Sequence, residues 1–208
     1  MKKKLIIDLM LFILMLLEFS RMYMPTIIHE IIGIHLVILV TIHLILNKKY
    51  LINITKAKYN LNKTIMLIIN ILFAISFIIT TLFGLLSSQD LLTILNIGNL
   101  TIIKLHKIFA YISLVTMSLH IGVNFNYTFG KIKNKIIKNM ISILLIISGI
   151  YSFVNVDFFN HLIGNYGFSA VTNNIFINTL EYLLIVLMIA IIMHYIYERT
   201  RKEKKNER

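Results

Sequence analysis

The sequence predicts an all-α integral membrane protein with six transmembrane helices and both termini cytoplasmic, on three observations. The 208 residues are 58% hydrophobic and only 14% charged, where a soluble domain carries roughly 25% charged residues. Six apolar runs approach the ~20 helical residues needed to cross a hydrocarbon core. The Lys and Arg residues behind the formal net charge of +12 fall in short blocks between those runs. There they read as topology signals and do not imply nucleic acid.

The first run, 5–24, follows Lys2, Lys3 and Lys4 and so resembles a secretory signal. Asp8 and Glu18 interrupt it and no small-residue cleavage site follows, so the reading is a retained first helix. Pro25 alone separates it from the run 26–46. Proline suits a first helical turn, so the two runs form a hairpin. Further spans are expected over 65–87, 101–123, 138–155 and 175–197. Lys48, Lys49, Lys56, Lys58 and Lys63, then Lys131, Lys133, Lys135 and Lys138, then the tail from Arg199 all fall on the side of Lys2 to Lys4, which is therefore cytoplasmic. The expected organisation is one transmembrane domain over 1–197 and a basic cytoplasmic tail over 198–208. Tyr23, Tyr50, Tyr127, Tyr195 and Tyr197 lie near span ends, where amphipathic rings suit the headgroup level.

The chemistry rests on histidine. With no cysteine, disulfides, iron–sulfur clusters, thiolate ligation and covalent c-type haem are excluded. The second span reads HEIIGIHLVILVTIH from His29 to His43, and the fourth reads HKIFAYISLVTMSLH from His106 to His120. Fourteen residues are close to four helical turns, so each pair projects within about 40° on one face, about 21 Å apart along the axis. Both spans run from outside to inside, which sets His29 level with His106 and His43 level with His120. Chance gives about 0.2 such pairs at any one separation. The spans also align as a weak repeat, with His29/His106, Ile31/Ile108, His43/His120, Asn47/Asn124 and Tyr50/Tyr127 identical. Two facing His/His pairs suit two b-type haems, His29 and His106 on the outer iron and His43 and His120 on the inner. Gly33, Leu36 and Val40 on one helix and Ala110, Ser113 and Met117 on the other lie between the ligands. Gly84 and Gly149 would admit a macrocycle edge or serve ordinary helix packing.

These residues resemble the membrane cytochrome b superfamily, in which histidines at this spacing on two helices of a four-helix core ligate two haems. The resemblance covers residues 1–123 and implies a haem-binding core of helices 1–4 with two further helices. H-E-I-I-G followed by H-L-I-L-N is closer to a family of small bacterial membrane domains associated with flavinylated extracytoplasmic electron carriers. That likeness implies a multi-pass protein of the bacterial inner membrane with a redox protein or flavoprotein as partner. The quinol-site motif of the large respiratory cytochromes is not visible, which leaves quinone open as a further partner.

The remaining polar groups divide between chemistry and packing. His35 lies 240° around the helix from His29 and reads as a hydrogen-bonded packing residue. Glu30 would orient an imidazole or make an outward polar contact. Lys104 and Lys107 would neutralise haem propionates or snorkel. Glu18 and Arg21 are spaced for a local ion pair. Glu181 with His161 would form a protonatable quinone pocket, His194 sits near the inner end of the last span, and 158–168 is an aromatic outer loop with Gly164 and Gly167.

The expected function is transmembrane electron transfer by the membrane subunit of a redox complex, between a quinone or cytoplasmic donor and an extracytoplasmic partner. The chain is an electron-transfer component rather than a stand-alone enzyme. Two alternatives stay open: a transporter or metal-ion permease, which requires ligands clustered at one depth, and a non-redox scaffold, which requires no pigment.

Overall fold

The computed structural model describes residues 2–54, 59–125, 129–165 and 174–206. The described residues are all-α, with α1 (Lys2–Glu18), α2 (Thr26–Leu46), α3 (Lys48–Ile54), α4 (Leu61–Leu86), α5 (Leu100–Asn124), α6 (Lys135–Asn155), α7 (Phe158–Ile163) and α8 (Ile175–Asn206). Five of these, α2, α4, α5, α6 and α8, are long and apolar enough to cross a membrane. The first helix stops earlier than the expected 24, because the chain turns into a short 3-10 segment at Arg21–Tyr23 ahead of Pro25. Tyr127, Gly167 and Phe168 lie outside the described residues.

Exposure follows a lipid-facing pattern. Leu5, Leu144, Ile147 and Val154 are each more than 60% exposed, as apolar side chains are when hydrocarbon is the solvent. Buried residues concentrate on α5 and α8, where Leu114, Ile185, Val186, Ala190 and Ile191 are fully enclosed. α4 lies along α5, α6 along α8, and α5 against α8, while α1 packs on α2 and touches α8. Thus α5 and α8 form the centre and α2 is peripheral, with Leu36 its one buried residue.

Lipid tails are as apolar as leucine, so helix association here depends on close packing and interhelical hydrogen bonds. Gly122 brings α5 onto α8, where an added Cβ would stand 2.6 Å from the Ala190 carbonyl oxygen. Gly149 does the same for α6, where a Cβ would collide with Met188 and come within 2.8 Å of the Leu184 carbonyl. Hydroxyls tie α4 to α5, Ser76 with Thr116 at 3.2 Å and Thr80 with Ser113 at 3.3 Å. Ser142 and Tyr195 tie α6 to α8 at 2.9 Å. These contacts fix the α4–α5 hairpin firmly and leave the α1–α2 hairpin lighter.

Candidate functional site

The four histidines of the two repeats share one feature. Each has its Nδ1 atom facing an acceptor on the antiparallel neighbour within its own hairpin. His29 Nδ1 stands 2.5 Å from Glu18 Oε2 and His43 Nδ1 bonds Asp8 Oδ1 at 2.7 Å, both acceptors on α1. His106 Nδ1 bonds the Thr80 carbonyl at 2.9 Å and His120 Nδ1 bonds Asn70 Oδ1 at 2.7 Å, both acceptors on α4. An acceptor at Nδ1 holds the proton there and leaves the Nε2 lone pair for a metal. Among the described residues no protein hydrogen bond reaches Nε2 of His29, His106 or His120; the Asn47 amide approaches His43 Nε2 at 3.4 Å. The repeat is visible here too, since Asn47 and Asn124 each donate from Nδ2 to the carbonyl of the inner histidine four residues earlier, both at 2.9 Å.

The level of His29 and His106, the outer one in the orientation that the basic blocks predict, is closely assembled. The rings of His29 and His106 have centroids 6.1 Å apart at 83°. His29 and His106 are the pair that would hold one metal ion between them, through metal–nitrogen bonds of about 2.0–2.1 Å. The Glu18 contact is close but not aligned as a hydrogen bond: His29 Nδ1 and Glu18 Oε1 are among the buried polar atoms with no such partner. Open space adjoins this site, because a Cβ at Gly33 would meet nothing within 4 Å. Glu30, next to His29, turns away and accepts from Ser88 Oγ at 2.8 Å and from the amides of Gln89 at 2.6 Å and Leu91 at 2.7 Å. It fastens the outer end of α2 to the α4–α5 connection and orients no imidazole.

The inner level is looser. His43 and His120 make no ring contact, and the side chains of His43 and Asp8 are 30% and 48% exposed. Asn70, which holds His120, donates in turn to the Tyr50 hydroxyl at 2.7 Å. Lys4 donates to Asn47 Oδ1 at 2.9 Å, which keeps this end of the α1–α2 hairpin together.

Several expectations change. Of the two roles expected for Gly84 and Gly149 the contacts are those of close packing: a Cβ at Gly84 would stand 3.0 Å from His106 Cε1, and Gly149 seats α8. Glu18 is held to His29, not to Arg21, because α1 ends at Glu18 and the following 3-10 turn breaks the helical spacing. Arg21 instead donates to the Met24 carbonyl at 3.0 Å and to Thr26 Oγ1. Asp8 and Glu18 on α1 bring carboxylates to two of the four histidines, His43 and His29. Lys104 folds its aliphatic stem against Gly164, whose added Cβ would lie 2.8 Å from Lys104 Cε.

His35 bonds its own helix at the Ile31 carbonyl, 2.8 Å away. His161 stacks on Tyr111 at 5.1 Å and 9°. Burial pushes the His161 imidazole below its ordinary value; the Asp157 carboxylate opposes this and the Lys107 ammonium adds to it. Glu181 is buried and accepts from Asn155 Nδ2. His194 is enclosed, with Lys138 Nζ 3.3 Å from its Nε2 and Phe125 and Phe129 edge-on to its ring. Within the aromatic outer loop, α7 turns Phe158 inward at 1% exposure and leaves Phe159 at 58%.

The residues that sequence reasoning missed are the four acceptors. Three of them act through side chains, Asp8 and Glu18 ten positions apart on α1 and Asn70 on α4, whereas the Thr80 acceptor is a backbone carbonyl that any residue would supply. Among the described residues no group of three or more His, Cys, Asp and Glu side chains is placed to hold a metal ion by itself. No protein-family model, curated protein or solved structure matches the chain.

Proposed function

We propose that the chain is a di-haem b-type cytochrome that carries electrons across the bilayer. In this reading α1 joins the five apolar helices as a sixth span, and both termini lie on the cytoplasmic side with the basic blocks. The observation that carries the proposal is the common presentation of the four histidines, at two depths, each with Nδ1 facing an acceptor. His29 and His106 would hold the outer haem and His43 and His120 the inner. A bound haem supplies reversible one-electron chemistry at iron. The chain's residues would set two imidazoles at each level, hold the proton on Nδ1 of His43, His106 and His120 through their hydrogen bonds and surround the ring with low-dielectric helix and lipid.

The same donor set fits a bare metal ion poorly, since a zinc site takes four protein or water ligands and each level offers two imidazoles. A porphyrin brings four nitrogens of its own. The outer partner in this proposal is a redox protein or flavoprotein, and the inner partner a quinone or cytoplasmic donor. The test is a reduced-minus-oxidised spectrum of protein purified from haem-replete cells, with haem quantified per chain. Two b-type haems per chain are expected. A colourless protein refutes the proposal and leaves the scaffold reading.

A further inference from the structure

We infer that α1 sets the redox potentials of both levels, through Glu18 at the outer site and Asp8 at the inner, with the larger influence at Glu18. The inference rests on the di-haem reading and goes beyond it, since it concerns residues that contact neither iron nor porphyrin. Each level pairs one imidazole facing a carboxylate with one facing an uncharged acceptor: His29 by Glu18 against His106 by the Thr80 carbonyl, and His43 by Asp8 against His120 by Asn70. The carboxylates come from one helix and the uncharged acceptors from another. Removing α1's contribution would therefore take the negative charge from both levels and leave the α4 bonds intact.

A carboxylate at Nδ1 makes the imidazole a stronger electron donor and places negative charge one ring away from the iron. Both effects favour the more positive oxidised state and lower the potential. The two carboxylates differ in setting. Glu18 Oε2 stands 2.5 Å from its imidazole and Asp8 Oδ1 2.7 Å from its own, with the Glu18 side chain the more enclosed by protein, and a Coulomb interaction grows as the charges approach. The outer haem is thereby held down more strongly than the inner.

Glu18→Gln and Asp8→Asn keep the shape and an acceptor oxygen while removing the charge, so both act as positioning variants with the four ligands in place. Potentiometric titration of each purified protein reads the result. Glu18→Gln is expected to raise one haem by a tenfold or greater change in its reduced-to-oxidised ratio, about 59 mV for a one-electron couple. Asp8→Asn is expected to raise the other haem by less. Unmoved potentials in variants that keep both haems overturn the inference and leave the di-haem proposal standing; a wild-type protein without haem sinks the proposal itself. A second measurement needs no haem: ¹⁵N spectra of histidine-labelled protein are expected to show His29 and His43 protonated at Nδ1, and Nε2 protonation at both overturns the inference.

Discussion

The outer and inner histidine levels carry the same residue types at the same spacing, yet they are built differently. At the outer level the two rings touch, their partners are shielded, and Glu30 fastens α2 to the turn after α4. At the inner level the rings do not touch, Asp8 and His43 are more open, and the tie between the hairpins runs through α3, where the Tyr50 hydroxyl accepts from Asn70. The difference teaches that the ligand spacing sets the depth of a site, while the tie between hairpins sets how closely its two halves approach. α2 is tied to the α4–α5 hairpin directly at one end, through Glu30, and by way of α3 at the other, through Tyr50.

The largest effect should come from the ligands. His106→Ala is expected to remove the outer haem and His43→Ala the inner, each halving the haem per chain and each deleting a different redox component. Loss of both haems from either change would break the separation of levels. Next in size is Glu30→Ala, which removes the hydrogen bonds from Ser88 and from the exposed amides of Gln89 and Leu91 at a cost of about 0.5–1.5 kcal/mol. Its thermal midpoint should fall, and the outer haem should be lost more readily than the inner during detergent exchange. An inner haem lost first would reverse the comparison.

Gly84→Ala is a smaller probe of the same contrast. The new Cβ presses on the His106 ring, which yields by a few tenths of an ångström, so the cost is near the low end of about 1–3 kcal/mol. The ferric electron paramagnetic resonance signal of one haem should shift while the other stays fixed. The smallest effect concerns α7 outside the ligand levels. His161 has a lowered pKa, so it is neutral in the fold; its stabilising contribution is complete above the unfolded imidazole value of about 6.5 and is lost as pH falls through the lower folded value. His161→Phe should flatten the acid side of the profile of α7 amide-exchange protection, and an unchanged profile would remove His161 as its cause.

The sequence made the long apolar helices and the shared face of each histidine pair legible because both depend on local spacing. The run 26–46 coincides with α2, and 101–123 falls one residue inside each end of α5. The partners of the histidines were not legible. Asp8 reaches His43 across 35 positions and Asn70 reaches His120 across 50, and no helical period links positions on separate helices. Glu18 was misassigned to Arg21 for a related reason: helical spacing holds only while the helix continues, and here it stops at Glu18. Glu30 shows the converse, a residue beside a ligand in sequence that serves a different contact in space.

The most direct measurement of the central claim is a potentiometric titration of the wild-type protein followed at its haem absorption bands. The account predicts two one-electron components of equal amplitude, together accounting for two haems per chain. One component at one haem per chain, or no redox-active absorption at all, would contradict it.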